Sequence, residues 1–213
     1  LKTPLTSISG YAELIETGMA RPEDVGRFAK IITGECRRLL TLVDDILTLS
    51  RLDEGVAPMP DVPVGLLAVS HEAVSRLRDA AARRGITLRV GGDEQIVCAP
   101  RAMLLELIGN LCDNAVKYNR DGGSVDVQVG RRGGRPFVTV RDTGVGIPPD
   151  EQSRIFERFY RVDKSRSREV GGTGLGLAIV KHLAMALGAG LSLESAPQKG
   201  SAFTLLFPPP AEK

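Results

Sequence analysis

The chain has 213 residues, of which 42% are hydrophobic and 25% are charged, values typical of one or two globular domains and not of a disordered chain. A net charge of +2 and an aromatic content of 4% disfavour nucleic acid as a partner. Three widely spaced cysteines argue against a disulfide framework or a zinc site, and no apolar run reaches the ~20 residues that cross a bilayer.

Two amphipathic helices of unequal length are predicted first. Residues 1–17 and 22–52 each carry apolar side chains at alternating steps of three and four, which predicts one apolar stripe per helix. In an antiparallel pair, residues 39–49 of the longer helix would face no partner. We expect the first helix to continue upstream of Leu1 and the hairpin to form half of a dimeric four-helix bundle. The alternative is a hairpin that packs on the domain following it.

A compact α/β domain is predicted after the hairpin. Residues 53–61 read DEGVAPMPD, a polar connector containing proline, which separates a domain of residues 1–54 from one of residues 55–213. The order of helical and strand patterns indicates a sheet covered on one face by helices. The predicted helices cover residues 66–84, 101–118 and 174–187, and the predicted strands cover residues 86–90, 96–98, 125–129, 137–141, 191–195 and 202–207.

Four polar side chains share one face of the helix predicted at 101–118, because they follow at steps of four, four and three. Asparagine is a mediocre helix former, so two asparagines one turn apart require a reason. Amide oxygens suit a Mg²⁺ ion that already carries phosphate oxygens, and a lysine adds a charge for those phosphates. A solvated polar face is the alternative. The four are Glu106, Asn110, Asn114 and Lys117.

An aspartate and two glycines follow the strand predicted at 137–141. The sequence DTGVGIP, residues 142–148, places a carboxylate where it could accept a hydrogen bond from an exocyclic amine such as that of adenine. The glycines allow close backbone approach and a hinge. An ordinary strand-ending turn would explain the same residues.

A third motif, GGTGLGL at residues 171–177, runs into the last predicted helix. Glycine-rich backbone ahead of a helix N-terminus presents free N–H groups and a favourable dipole to phosphate. The spacing indicates neither a dinucleotide-binding turn nor a Walker loop, because it does not fit G-x-G-x-x-G, no strand precedes it and no Gly-Lys-Ser/Thr is present.

Residues 148–170, between the two glycine motifs, are predicted to form a basic lid. Six basic side chains against Glu157 and Asp163 give residues 154–168 a net charge of +4. A basic, glycine-hinged segment beside a phosphate site favours a flap that neutralises a triphosphate. A nucleic-acid-binding patch is the other explanation. The six are Arg154, Arg158, Arg161, Lys164, Arg166 and Arg168.

Taken together, these motifs resemble those of the bacterial sensor histidine kinases over almost the whole chain. ELIGNLCDNAVKYN is similar to the family's N box, DTGVGIP to its G1 box, FERFYRVD to its F box and GGTGLGL to its G2 box. The resemblance implies that the second domain is an ATP-binding α/β sandwich of the kind shared with gyrase, Hsp90 and MutL. It implies that the hairpin serves dimerisation and phosphotransfer. The expected fold class is α+β, a helical hairpin followed by this sandwich.

The resemblance also implies roles for individual residues. Asn110 would bind Mg²⁺, with Asn114 and Lys117 near the phosphates. Asp142 would accept a hydrogen bond from the adenine amine. Tyr118 would flank the nucleotide, and packing is an equal alternative for it. The other implied nucleotide-binding residues are Gly144, Gly146, Ile147, Arg158, Arg161, Gly172, Thr173, Gly174, Leu175, Gly176 and Leu177.

Residues 1–4, LKTP, resemble the end of the family's H box, His-Glu-x-x-Thr-Pro. On this alignment the phosphoacceptor histidine lies two positions before the first residue; a truncated start explains this most simply, and a variant without the histidine is the alternative. Thr3 takes the position that helps orient water for dephosphorylation of the response regulator, or is a plain surface residue. His71 and His182 are expected to be packed or exposed rather than phosphorylated. Glu106 aligns with the water-activating glutamate of the gyrase-like ATPases and is a candidate catalytic base.

The sequence therefore predicts the cytoplasmic core of a membrane-bound sensor histidine kinase. Such a core binds ATP and Mg²⁺, phosphorylates a histidine and passes the phosphoryl group to an aspartate of a response regulator receiver domain, and it can also dephosphorylate that regulator. The expected partners are a second copy, through the hairpin, and the receiver domain, with no nucleic acid and with a membrane only through upstream sensor segments. The alternatives are a non-catalytic dimeric nucleotide-binding scaffold and a gyrase-like conformational ATPase.

Overall fold

The computed structural model describes residues 2–54, 62–162 and 172–209, with side chains from residue 4 onwards. The chain packs as two units, Leu1–Thr48 and Leu49–Lys213. This packing boundary falls before the predicted division between residues 54 and 55. That division, between a phosphotransfer hairpin and an ATP-binding domain, stays a prediction. Along the described residues, no helix is both long and apolar enough to cross a membrane.

The first unit is a pair of helices. Helix α1 is Lys2–Glu16 and helix α2 is Pro22–Asp53, of which residues 49–53 belong to the second unit. Gly18 has φ +70°, the left-handed conformation that ends many helices. The rings of Tyr11 and Phe28 join the two helices, with centroids 4.9 Å apart. The two predicted helices are therefore confirmed.

The unit leaves large apolar side chains of α2 exposed. They lie among residues 39–49, which are expected to face no partner from the first helix, and the most exposed of them is Leu40, at 65%. Contiguous exposed apolar surface is typical of an interaction site. The four are Leu40, Val43, Ile46 and Leu47.

The second unit contains two sheets. A two-stranded antiparallel sheet pairs β1, Val62–Gly65, with β3, Ile96–Ala99. A five-stranded sheet has the order β2-β4-β5-β7-β6, in which only the β2–β4 pair is parallel. Its strands are β2 Thr87–Gly92, β4 Ser124–Arg132, β5 Arg135–Asp142, β6 Gly190–Ser195 and β7 Ser201–Leu206.

Helices cover one face of the larger sheet, as predicted. On β4, Val125, Val127 and Val129 are buried while the alternating positions are more accessible, which is the pattern of a sheet with one covered face. The buried side of α5 packs on this face through residues such as Leu107 and Leu111. The helices are α3 Leu66–Ser75, α4 Arg78–Ala82, α5 Arg101–Lys117 and α6 Gly176–Ala186, with a short 3-10 turn at Arg154–Phe156.

The single helix predicted at 66–84 is wrong. The chain forms two helices there, because α3 ends in a tightened turn in which the Leu77 N–H donates to the Val74 carbonyl at 3.0 Å. Leu77 then has φ −103° and ψ −2°, outside the helical range. The apolar pattern runs through this break, so it carries no signal of it.

Candidate nucleotide-binding site

The polar face of α5 meets the start of α6. The opposite face of α5 is anchored in the core by buried residues such as Leu107 and Leu111. Asn110 Nδ2 donates to the backbone oxygen of Glu106 at 2.9 Å. A Cβ added to Gly176 would lie 3.0 Å from Asn110 Oδ1. The amide oxygen of Asn110 therefore faces the glycine with which α6 begins.

Asn114 and Lys117 follow on the same face of α5. The Nδ2 atom of Asn114 is buried and has no hydrogen-bond partner within the described ranges. An unsatisfied buried polar group costs about 1–3 kcal/mol and requires an explanation such as a ligand. Lys117 Nζ pairs with Asp113 Oδ2 at 2.6 Å, and both side chains are partly exposed. This end of α5 thus offers an unused amide donor and an ammonium group.

Tyr118, the residue directly after α5, joins the predicted motifs. A Cβ added to Gly172 would lie 3.2 Å from its phenol oxygen. Its backbone oxygen accepts a hydrogen bond from the Val145 N–H at 3.2 Å. One side of Tyr118 therefore contacts the third glycine motif, and its backbone contacts the turn that follows Asp142.

Asp142 ends β5 and is 9% exposed. Its Oδ1 atom accepts hydrogen bonds from the N–H groups of Gly144, at 2.7 Å, and Ser201, at 3.3 Å. Burial raises the pKa of Asp142 above its ordinary value, although these two hydrogen bonds act to lower it. Both bonds end on Oδ1, so Oδ2 is the atom of this carboxylate available to an amine donor.

Glycine is required where the Asp142 turn packs against neighbouring backbone. Gly146 has φ +68°, and a Cβ there would overlap the carbonyl of Ala196. A Cβ on Gly144 would overlap the carbonyl of Tyr118. The next residue, Ile147, is fixed by its N–H, which donates to Ser195 Oγ at 2.8 Å. The turn is therefore held in one conformation by contacts on both sides.

Sequence analysis missed the role of Asn119, the last residue of the motif similar to the N box. Its side chain is 3% exposed, and Nδ2 donates to the Ser124 carbonyl at 2.9 Å. Its Oδ1 atom accepts from the Arg120 N–H at 3.0 Å and from the Thr143 hydroxyl at 3.2 Å. Asn119 thus ties the end of α5 to the starts of β4 and of the Asp142 turn. A polar residue after a helix is the only local signal for this role.

The third glycine motif leads into α6 through a left-handed residue. Gly174 has φ +76°, and its carbonyl accepts a hydrogen bond from the Phe159 N–H at 2.9 Å. The Leu175 N–H donates to Thr173 Oγ1 at 3.3 Å, and Leu175 is fully buried. Leu177 is half-buried. These contacts fix the backbone just before the N-terminus of α6.

The basic side chains of the predicted lid are placed differently from one another. Arg158 Nη2 donates to both carboxylate oxygens of Asp53, at 2.6 and 2.8 Å, and lies 3.3 Å from His182 Nε2. Arg161 lies nearer the site, with Nη2 4.0 Å from a Cβ added to Gly172. Lys164, Arg166 and Arg168 lie outside the described residues.

The remaining candidates lie as follows. Glu106 is half-buried one turn before Asn110. Thr3 lies in α1, and its side chain is outside the described part. His71 is exposed, and His182 hydrogen-bonds the Ala178 carbonyl through Nδ1 at 2.8 Å. The catalytic roles of Glu106 and Thr3 stay predictions.

Comparisons with known proteins agree with this architecture. Residues 100–211 match the family model described as "Histidine kinase-, DNA gyrase B-, and HSP90-like ATPase", and residues 1–55 match the "His Kinase A (phospho-acceptor) domain". The chain therefore belongs to the sensor histidine kinases and contains phosphoacceptor-domain and ATPase-domain sequence.

Among the relatives, the sensor-like histidine kinase SenX3 of Mycolicibacterium smegmatis is 41% identical over 98% of this chain and 54% of its own length. ShkA, solved in complex with AMPPNP, is 28% identical and superposes with a TM-score of 0.75 over 97% of this chain and 43% of that one. Histidine kinase ThkA, solved with the response regulator protein TrrA, shares the fold, with a TM-score of 0.77 at 21% identity over 98% of this chain and 58% of that one. The chain spans about half the length of the SenX3 relatives it matches.

Proposed function

We propose that this chain binds ATP with Mg²⁺ between α5, the Asp142 turn and the glycines before α6, and uses it to phosphorylate a histidine. The observation that carries the proposal is the buried Nδ2 of Asn114, which has no hydrogen-bond partner among the described residues and lies on the same helix face as Asn110 and Lys117. A buried N–H donor without a partner lowers the stability of the fold, whereas a phosphate oxygen of a bound nucleotide would accept its hydrogen bond. Membership of an ATPase family supports the same ligand.

Asp142 is the group proposed to select adenine. Its Oδ1 is held by two backbone N–H groups, which fixes the carboxylate before a ligand arrives. Its Oδ2 would then accept a hydrogen bond from the exocyclic amine of adenine. A base with a carbonyl at that position would set two acceptors against each other, which is unfavourable in a buried site.

The phosphates are proposed to bind between Asn114, Lys117, Arg161 and the backbone at residues 172–176. The N-terminus of α6 favours negative charge, and its glycines leave room for close approach. The Asn110 Oδ1 atom is the proposed protein ligand of Mg²⁺. When bound, this ion would neutralise charge on the phosphates. Across the described residues, no cluster of three or more His, Cys, Asp or Glu forms a metal site, so the phosphates themselves would supply other ligands.

Lys117 would have to leave Asp113 to reach a phosphate. The pair is partly exposed, and exposed ion pairs of this kind are worth about 0–1 kcal/mol. A triphosphate carries more negative charge than one carboxylate and would compete successfully for the ammonium. Arg158 is proposed to reach the nucleotide in the same way, in exchange for its contact with Asp53.

The phosphoacceptor is proposed to be a histidine two positions before Leu1, on the helix that continues into α1. Its neutral imidazole would attack the terminal phosphorus, and the phosphoryl group would pass to an aspartate of a receiver domain. The hairpin is proposed to form a dimeric four-helix bundle that covers the apolar side chains exposed on α2. The protein is proposed to act at the cytoplasmic side of a membrane, in a longer sensor, and to dephosphorylate the regulator with the help of Thr3.

The nucleotide site is tested by titrating the chain with ATP and Mg²⁺, beside Asn110→Ala and Asp142→Asn. We expect each variant to bind at least about tenfold more weakly, because each loses a direct ligand contact. Gln128→Ala, on the accessible face of β4, is the matched control and should bind as the parent chain does. Equal affinity for the parent and both variants would exclude this site.

The kinase step is tested by adding His-Glu ahead of Leu1 and incubating with radiolabelled ATP, beside the same chain with Ala-Glu. We expect acid-labile phosphate only on the histidine version. Nucleotide binding without phosphohistidine would favour a non-catalytic scaffold. Steady ATP hydrolysis without phosphoprotein would favour a gyrase-like ATPase.

A further inference from the structure

Arg84, in the turn between α4 and β2, reaches the end of α5. Its Nη1 atom donates to the carbonyls of Val116, at 2.7 Å, and Lys117, at 3.0 Å, and its Nη2 atom donates to the carbonyl of Asn119 at 2.7 Å. Its Nε atom donates to Asp121 Oδ1 at 2.9 Å. One guanidinium therefore makes four hydrogen bonds around the residues that end α5.

The physical reason is the exposed end of a helix. The last carbonyls of α5 have no N–H partner inside the helix, and they carry the negative end of its dipole. Arginine brings a positive charge and five N–H donors in a planar fork, so one side chain can satisfy several carbonyls at once. A lysine in its place would bring the charge on a single nitrogen and could not span the same set.

These carbonyls belong to the residues that would hold the nucleotide. Arg84 donates to the carbonyl of Lys117, three residues after Asn114, and to the carbonyl of Asn119, so it holds the two carbonyls on either side of Tyr118. Motion of this turn would move the ammonium of Lys117 and the phenol of Tyr118 together. The adenine side has further restraints that Arg84 does not touch: the Asn119 side chain bonds the Ser124 carbonyl and the Thr143 hydroxyl, and two N–H groups donate to Asp142.

We propose that Arg84 is a positioning residue for the phosphate half of the site. It acts through the backbone of residues 116–119 and does not contact the nucleotide. The inference rests on the proposed function, because it assigns Arg84 to the same nucleotide-binding site. It makes the affinity for the phosphates, more than the affinity for adenosine, depend on a side chain outside every predicted motif.

The test compares ADP with adenosine, each in the presence of Mg²⁺, on the parent chain and on Arg84→Met, Arg84→Lys and Asp121→Asn. Methionine keeps an apolar stem without donors, and lysine keeps the charge. Asp121→Asn keeps an amide oxygen that can accept from Arg84 Nε and removes only the charge of a side chain that is 80% exposed, so this variant is the matched control. Thermal unfolding of each variant is recorded so that binding is measured well below its midpoint.

We expect Arg84→Met to weaken ADP binding about tenfold while adenosine binding changes by less than about twofold, since second-layer contacts of this kind commonly affect affinity to that degree. Arg84→Lys should lose about threefold for ADP, and Asp121→Asn should match the parent. A uniform loss for both ligands would show a general structural role and overturn the proposal, as would unchanged ADP affinity.

If Arg84→Met does not fold, the Arg84→Lys variant tests the proposal in the same way: its affinity for ADP should fall while its affinity for adenosine stays near that of the parent. Absence of ADP binding by the parent chain would instead contradict the proposed function itself.

Discussion

The two ends of the candidate site differ in how they are held. At the adenine end, Asp142 accepts two backbone hydrogen bonds, the Asn119 side chain makes three hydrogen bonds, and the Gly146 backbone packs against the carbonyl of Ala196. At the phosphate end, Asn114 Nδ2 has no hydrogen-bond partner in the described chain, and Lys117 pairs with the partly exposed Asp113. Phe159, beside Gly174, has φ +64° and is 59% exposed.

This difference indicates a division of work. A base is recognised by shape and hydrogen-bond pattern, so a carboxylate fixed in advance gives selectivity. The phosphates carry enough negative charge to attract basic side chains away from weak ion pairs. The side chains at the phosphate end can therefore take their ligand-binding positions only when the nucleotide binds. The adenine end is held by contacts of the fold itself, and the phosphate end is ordered by the binding of the nucleotide.

The largest expected effect breaks the adenine end. Gly146→Ala should destabilise the chain by about 3 kcal/mol, because the left-handed backbone is strained with a Cβ and the new atom overlaps the Ala196 carbonyl. Gly134→Ala is the control: it has φ +78° and open space, so it should cost only about 1 kcal/mol. Urea unfolding measures both. Equal losses would mean that the close approach at Gly146 contributes nothing.

A matched pair of asparagines sharpens the comparison. Asn119→Leu should lower the free energy of unfolding by about 2 kcal/mol, because it leaves the buried partners of Asn119 without hydrogen bonds. Asn114→Leu should leave stability unchanged or raise it by about 1 kcal/mol, and should weaken ADP binding about tenfold. Urea unfolding and ADP titration of both variants measure this. Destabilisation by Asn114→Leu comparable to that by Asn119→Leu would remove the distinction between the two ends.

The smallest effect is a pH dependence from Asp142. Burial raises its pKa in the folded chain above the ordinary value of 3.8, so the folded state holds this proton more tightly than the unfolded state. The stability that this proton contributes is complete below pH 3.8 and is lost as pH rises through the folded-state pKa. The stability of the parent relative to Asp142→Asn should therefore fall over that range and then level off. A difference that grows with pH would show a lowered pKa instead.

Local patterns predicted most of the fold. The two opening helices, α5, α6 and the strands from β2 to β7 follow from periodicity and from glycine or proline at their ends. The expectation that residues 39–49 of α2 face no partner agrees with the exposure of Ile46, at 38%, but not with Leu49, which is buried at 3%. The glycine motifs predicted turns that need glycine, and Gly146 and Gly174 have positive φ.

What the sequence did not predict depends on contacts between distant residues. Strand β1 has four residues, including Pro63, and exists through pairing with β3 some thirty residues later. Arg84 lies in an ordinary basic helix end, and only the folded chain brings it to the carbonyls of Val116 and Lys117. The contact of Arg158 with Asp53 is of the same kind, across 105 positions. No local pattern encodes such pairs.

The central claim is that Asp142 reads the amine of adenine in a nucleotide bound along α5. Titration of the chain with ADP and with IDP, which carries an oxygen in place of that amine, tests it most directly. We expect IDP to bind about 100-fold more weakly than ADP, and Asp142→Asn, whose amide can donate to that oxygen, to reduce the ratio to near unity. Equal affinity of the parent chain for ADP and IDP would contradict the account.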